Sequence, residues 1–418
     1  MAFAIAHSLE EWRALWGHDS LPREVAGGAT NNSLDAWPEN VRSDAWRDPQ
    51  REPPRSVVTI GNFDGVHLGH QAILRAMVEH AQEQHALATV VTFDPHPLCV
   101  LKPEYAPPML MTLAQRLRCF ADLGLDAALV LKFDEAFSRL SPEEFVRRIL
   151  VGTLAVKAVL LGETFRFGYR HAGDVKLLTE LGRAAAASSN DDPSHADKGF
   201  QVMPVQPVVY RGEIVSSTLV RQALRAGAVS RAARLLGKPY ELEGFVQRGQ
   251  GIGRKLIVPT LNLATKAEIL PAHGVYATET CVGTRHGGKW YRGVTNIGIR
   301  PTVSSGNSGT ADPAPNATST GTGAVGGNAV PGEYPAASGA VPPNIEPNRN
   351  NVAQVSVESY LFDFDDEVTS GPLAVRFCIR LRDERKFPGI DALRNQILRD
   401  AARAQRFFRR LRNRELSI

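Results

Sequence analysis

Cysteine is scarce in this chain. Of 418 residues only four are Cys (Cys99, Cys119, Cys281, Cys378), and no two form a C-x-x-C pair. That spacing argues against a zinc site or a disulfide framework and fits a reducing, cytoplasmic setting. Long apolar runs are also missing, so no segment reaches membrane-spanning length. The N-terminus lacks the basic, apolar, small-residue order of a secretory signal, and no membrane partner is expected. Excess charge of one sign is absent too: 48 Lys and Arg against 44 Asp and Glu leave a net charge of +4. No polyanion is implied, nucleic acid included, and the basic residues from Arg399 to Arg412 read as the solvated face of a last helix. With 43% hydrophobic and 22% charged residues, the composition is that of a globular protein long enough for two or three cores.

Three stretches lack the apolar residues to form structure of their own. Residues 18–54 mix Pro, Asn, Asp and Trp without period, 184–198 are rich in Ala, Ser and Asp, and 304–350 in Gly, Ser, Ala, Asn and Pro. Such segments cannot bury enough apolar surface to offset their conformational entropy, and mobile inserted loops are expected. Between 57 and 209, strand candidates (57–60, 87–93, 127–133, 158–161, 202–209) alternate with helical stretches (71–84, 113–123) and a helix opening at the capping box Ser141-Pro-Glu-Glu144. The alternation predicts an α/β domain with a doubly wound parallel sheet, over residues 1–230. From 238 to 418, short β-like runs (240–247, 274–282, 289–297, 355–364, 373–381) separated by Gly, Pro and Asp predict a small antiparallel β-barrel. A C-terminal amphipathic helix, with apolar positions from Ile390 to Leu411, follows it.

The stretch VVTIGNFDGVHLGH at 57–70 carries the most chemistry. A strand runs into a glycine turn, and His67 and His70 sit where a helix begins. Backbone N–H groups and the positive helix end suit a phosphate, and imidazoles add donors without a permanent charge. By itself H-x-G-H does not separate this reading from a strand–turn–helix with two surface histidines. Three further motifs close or open elements of the same α/β frame: Thr92-Phe-Asp94-Pro95-His96-Pro97, Leu161-Gly-Glu-Thr-Phe165-Arg-Phe167-Gly168 followed by Gly173-Asp174, and Val215-Ser-Ser217-Thr218-Leu-Val-Arg221. Singly each has a packing or capping explanation; in order on one sheet they do not.

Together these four motifs resemble the signatures of the adenylyltransferase module of bacterial bifunctional riboflavin kinase/FAD synthetases, within the wider H-x-G-H nucleotidyltransferases. The resemblance implies transfer of AMP from ATP to the phosphate of FMN, giving FAD and pyrophosphate. It places Gly61, Asn62, Phe63, Asp64, His67, His70, Ser217, Thr218 and Arg221 around ATP, with the two histidines catalytic on its phosphates. It places Asp94, Pro95, His96, Phe165, Phe167, Gly168 and Asp174 beside the flavin. Thr164 stands where the family often has Asp or Asn.

The second half shows Gly251-Ile-Gly253-Arg254 and Pro259-Thr260-Leu-Asn262, read as a loop whose glycines admit phosphates. Thr260 and Asn262 offer neutral oxygens to a metal. Asn296-Ile-Gly-Ile-Arg300-Pro-Thr302, Val357-Glu358, and Arg382-Asp-Glu384-Arg-Lys-Phe387 follow. In this order they resemble the riboflavin kinase module, which implies Mg²⁺- and ATP-dependent phosphorylation of riboflavin. In that resemblance Glu358 is the general base, Thr260 and Asn262 are metal and phosphate ligands, and Gly251, Gly253, Arg254 and Pro259 surround the nucleotide. Asn296, Arg300, Arg382, Glu384 and Phe387 take the flavin. Ile257-Val258 and Tyr360 depart from the family pattern, and an active kinase of altered nucleotide or flavin affinity is expected. The implied ligands are riboflavin, FMN, FAD and ATP, with no zinc, haem or Fe–S cluster, and with weak self-association left open. The alternatives are an adenylyltransferase with a degenerate kinase domain, a flavin-binding regulator without turnover, and a nucleotidyltransferase acting on another phosphate.

Overall fold

The computed structural model describes residues 3–16, 54–187, 199–247, 260–285, 287–299 and 355–415. The insertion 304–350 therefore lies outside the described residues, as do 18–53 and 188–198.

The first half is built on a six-stranded sheet in the order β1-β4-β3-β2-β5-β8, parallel throughout. Its strands are β1 (Ala4–Ala6), β2 (Ser56–Ile60), β3 (Leu87–Asp94), β4 (Ala127–Lys132), β5 (Val156–Gly162) and β8 (Gln201–Val205). Two short strands, β6 (Arg166–Phe167) and β7 (Gly173–Asp174), form a separate hairpin. The central strands read as unbroken apolar runs because both faces are covered. Val58, Ile60, Val91 and Leu129 point to one side with Trp12 of α1 (Leu9–Trp16) and Ile149. Val57, Val90, Ala128 and Val130 point to the other, against Leu74 and Met77 of α2 (Leu68–Glu83).

The chain leaves β2 outward toward β3 and β4, then returns to lay β5 on the other side of β2. The carboxyl end of β2 is thus a topological switch point, where ligands of such sheets bind. Two helices lie between β3 and β4: α3 (Pro97–Leu101) and, opened by a Thr112/Gln115 capping box, α4 (Leu113–Asp122). The capping box at Ser141, with Pro142 at the first helical position, is formed as expected.

Three local expectations differ from the structure. The strand expected at 202–209 is split: β8 stops at Val205, Pro207 has no N–H to offer a ladder, and Val209 opens the hairpin β9 (Val209–Tyr210) and β10 (Glu213–Ile214). Pro204 is tolerated inside β8 because that strand is the sheet's edge. Residues 184–187, assigned by composition to a loop, are the end of the helix Val175–Ala187, where an alanine run favours helix.

Helices Ser217–Arg225 and Val229–Leu236 lead into the second half. There a closed antiparallel barrel runs β11-β12-β15-β14-β13-β16. Its strands are β11 (Tyr240–Gln247), β12 (Thr260–Thr265), β13 (Gly274–Val282), β14 (Lys289–Ile299), β15 (Val355–Leu361) and β16 (Pro372–Asp383). The third difference lies here: Thr260 and Asn262 sit in strand β12 rather than a loop, because Leu261 and Leu263 alternate with them and join the interior. That interior also takes in Tyr276, Ile297 and Phe377, and it is continuous with Leu219, Leu224 and Leu235 of the two helices. The C-terminal helix Ile390–Glu415 packs Ala401, Ala404 and Phe408 on the barrel's outer face against Val275, Ala277 and Val294. From the first half, Arg118 Nη2 donates to both carboxylate oxygens of Glu243 on β11, at 2.7 and 2.5 Å. Among the described residues no helix is long and apolar enough to cross a membrane.

Phe377 is fully buried and meets the Tyr276 ring edge-on, with centroids 5.3 Å apart. Phe377→Ala is expected to cost about 3–5 kcal/mol. Because one core joins barrel and helices, the loss should appear as a downshift of a single unfolding transition. Calorimetry of the full chain checks this, and two well-separated transitions would contradict it.

Candidate active sites

β2 ends at Ile60, and the next seven residues bend the chain into α2. The bend uses left-handed backbone at Phe63 (φ 50°), Gly65 (φ 82°) and Val66 (φ 40°). Such conformations are costly for a β-branched residue and collect where geometry serves a site. His67 caps α2: its Nδ1 accepts from the His70 N–H at 3.3 Å. The two imidazoles stack at 3.6 Å with an 18° interplanar angle, and Phe63 meets His70 edge-on. Gly69 is required between them, since a Cβ there would lie 3.2 Å from two atoms of the His67 ring and 3.4 Å from the Val215 carbonyl.

Burial of His67 pushes its pKa down to about 4, and burial beside His67 pushes His70 well below the ordinary range. Both rings are therefore neutral at pH 7 and act as donors and acceptors rather than as cations. Among the described residues His70 Nδ1 and Asn62 Oδ1 are buried without a hydrogen-bond partner.

The rest of the turn is held from beneath. The Asp64 carboxylate, 3% exposed, accepts from the Leu110 and Met111 N–H groups at 3.0 and 3.2 Å and is ion-paired with Arg221. Burial raises the Asp64 pKa and lowers that of Arg221, against each partner's opposing pull. Arg221 Nε also donates to the Pro108 carbonyl at 2.8 Å. Arg221 thus joins the second helix motif to the turn. Ser217 does the same, its hydroxyl donating to the Asp64 carbonyl at 2.8 Å, while Thr218 is exposed. The cap of that helix is Ser216.

Gly61 donates its N–H to Val91 of β3 at 3.0 Å. Asn62 lies 3.2 Å, amide to ring nitrogen, from His96, which caps α3. The TFDPHP and GNFD motifs therefore meet, with Asp94 and Pro95 exposed beside them. Phe165 and Phe167 stack at 5.7 Å, and Phe167 continues through Phe145 and Phe137 to Phe93 of β3. Gly168 packs on Pro142 with φ 72°, and Asp174 holds Arg166 at 3.0 Å and the Leu177 N–H at 2.9 Å. Thr164 is exposed.

In the barrel the pairing register does the assembling. Asn262 lies directly across from Glu358, and Thr260 across from Tyr360. Residues opposite each other in an antiparallel pair have Cβ atoms about 4.5–5.5 Å apart, and alternation puts all four on one face, away from Leu261, Leu263 and Val357. Asn262 is 5% exposed and Glu358 half-buried. Glu384 covers Gly298, where an added Cβ would lie 2.2 Å from its Oε1 and 3.0 Å from the Asn296 amide. Arg382 pairs with Asp400 of the C-terminal helix at 2.8 Å and lies 5.5 Å over the Phe387 ring. Phe387 lines a cavity of about 440 Å³ with Arg385, Lys386, Gln396 and Arg399. Gly251, Gly253, Arg254, Pro259 and Arg300 lie outside the described residues.

One buried side chain at the first site was not anticipated. Arg116 of α4 is 2% exposed, and its Nη1 donates to the Asn62 carbonyl at 2.7 Å and the Thr92 hydroxyl at 3.2 Å. The signal was in the sequence: 113, 116, 117 and 120 form one helical stripe, apolar except for Arg116.

The neutral histidines predict a pH dependence. Below pH 6.5 the unfolded chain protonates His67 while the folded one does not, down to about pH 4. The unfolded state then binds more protons, so stability falls as pH drops through that window, by on the order of 3 kcal/mol for this group. His67→Asn keeps a cap acceptor and removes the titration. Thermal unfolding measured from pH 7 to pH 4 should decline less steeply in the variant, and an unchanged slope would refute the assignment.

Comparison with known proteins identifies the family of both halves. The FAD synthetase family model matches residues 49–219, and the riboflavin kinase model matches 236–312 and 330–408. A bifunctional riboflavin kinase/FMN adenylyltransferase of Escherichia coli (strain K12) is 31% identical over 84% of this chain and 92% of its own length. The protein of that name from Pseudomonas fluorescens is 34% identical over the same shares. A solved structure named as a macrolide-efflux protein from Streptococcus pneumoniae shares the fold, with a TM-score of 0.62 at 24% identity over 84% of this chain and 93% of that one. With both modules matched in order and these relatives covered nearly end to end, the chain belongs to the bifunctional riboflavin kinase/FMN adenylyltransferase family.

Proposed function

We propose that this protein converts riboflavin to FMN in the barrel and FMN to FAD at the H-x-G-H turn, using one ATP in each step. The observation that carries the reading is the coexistence, on one chain of this family, of the neutral His67–His70 stack at a sheet switch point and the Asn262–Glu358 register in a closed barrel.

In the first step Glu358 takes the proton of riboflavin's terminal ribityl hydroxyl as its oxygen attacks the γ-phosphorus of ATP, and ADP leaves. A half-buried carboxylate facing a buried amide across a strand pair suits that task. Thr260 and Asn262 are hard neutral oxygen donors on one face of β12, which fits Mg²⁺ carried largely by nucleotide phosphates. That ion would neutralise charge on the transferring phosphoryl group.

In the second step the FMN phosphate attacks the α-phosphorus in line and pyrophosphate leaves, with no covalent enzyme intermediate. Catalysis is positioning and charge stabilisation. His67 and His70 hydrogen-bond the phosphates from the helix start, where the N-terminal dipole of α2 adds positive potential. Phe165 and Phe167, with Asp94, Pro95 and His96, flank the flavin, and the aromatic series to Phe93 keeps that wall rigid. Four unpaired cysteines support a cytoplasmic location.

The product profile from riboflavin, ATP and Mg²⁺ tests both halves. Glu358→Gln is expected to lower FMN formation by about 10²–10⁴-fold while added FMN is still converted to FAD. His67→Ala with His70→Ala should lower FAD formation from FMN by about 10²-fold or more with FMN formation intact. Wild-type protein that makes FAD from FMN but no FMN from riboflavin would leave an adenylyltransferase with a silent barrel. Tight flavin binding with neither product would leave a flavin-binding regulator.

A further inference from the structure

Two cations touch the Gly61–His70 turn, and their electrostatic situations are opposite. Arg221 is neutralised by Asp64, which also takes two backbone N–H groups. Among the described residues Arg116 is hydrogen-bonded to neutral groups only, the Asn62 carbonyl and the Thr92 hydroxyl, and its buried Nε has no partner. Asp64 and Asp94 act on it only at longer range. Burying a guanidinium without a paired anion is energetically costly. A neutral donor would serve Asn62 and Thr92 without that cost. The imidazoles at the turn contribute no charge, and the ligand is a polyphosphate that releases pyrophosphate.

Resting on the adenylyltransferase reading above, we propose that Arg116 is the positioning cation of that reaction. It fixes the Asn62 end of the turn, and through Asn62 it lends an unneutralised positive charge to the nucleotide's phosphates. Asn62 is the relay: its carbonyl is held by Arg116, its amide faces His96, and its own Oδ1 is left unsatisfied. The charge stabilises the phosphates most as the α-phosphorus–oxygen bond to pyrophosphate breaks and negative charge gathers on the leaving group.

Charge and hydrogen bonding are separated by two variants of the full chain. Arg116→Gln keeps a donor and removes the charge, whereas Arg116→Lys keeps the charge. For FMN to FAD, kcat/KM for ATP should fall about 100-fold in the Gln variant and stay within about tenfold of wild type in the Lys variant. Riboflavin phosphorylation in the barrel should be unchanged in both, which reports folding. Inorganic pyrophosphate at millimolar concentration should raise the thermal midpoint of wild type and the Lys variant, and not of the Gln variant.

Equal losses in the Gln and Lys variants would overturn the proposal in favour of a purely structural role, and so would a Gln variant with wild-type kinetics. If the Gln variant does not fold, the Lys variant decides: intact kinase activity without FAD formation or a pyrophosphate shift refutes the charge. Absence of FAD formation in the wild type would instead overturn the adenylyltransferase reading, and the pyrophosphate comparison would still judge Arg116.

Discussion

Asp64 and Arg221 lie 157 positions apart in sequence and form a buried ion pair in the fold. Around that pair three separate segments are drawn together: the turn after β2, the stretch at 108–111, and the helix opening at Ser217. A pair this deep contributes little net stability over a well-packed apolar alternative, but leaving either partner alone costs several kcal/mol. Its consequence is geometric. With Asp64 held, Phe63 and Val66 stay in their left-handed conformations, His67 reaches its cap position, and the two imidazoles stack as neutral rings. The proposed phosphate site is therefore shaped by charges spent on one another, and in the proposal above its positive potential comes from the start of α2 and from Arg116.

The barrel brings its candidate residues together by a different route. Strand register alone sets Asn262 against Glu358. A slip of one residue would send both to the interior and bring Leu261 and Leu263 out, which the buried core forbids. Specificity of the chemistry thus rests on the same apolar alternation that stabilises the barrel. The C-terminal helix completes the arrangement by taking Arg382 through Asp400 and covering Val275 and Val294.

Much of this was legible in the residues. The strands from Val57, Leu87 and Ala127, the Ser141 capping box and five of the six barrel strands have clear periods and punctuation. The H-x-G-H turn was located by its glycine and helix start. Less legible were short or mixed elements. β1 spans three residues, too few for a period to show. β12 was hidden because its polar positions looked like a ligand loop, though those positions are the outer face of a strand. Arg116 was passed over because a single cation in an apolar helical stripe is usually read as noise in the pattern.

Sequence by itself determined the α/β-then-barrel order, the motifs at the strand ends, and the residue types the chemistry requires. These follow from local period, capping and turn preferences, which a chain carries without reference to its distant parts. Tertiary structure decided which charges are spent and which are free. Arg221, expected beside ATP, is ion-paired with Asp64. Arg116, buried in the stripe of α4, is paired with no carboxylate among the described residues. The reason is that charge pairing is set by distances between segments far apart in the chain, 157 positions for Asp64 and Arg221, and by burial, which multiplies the strength of each contact.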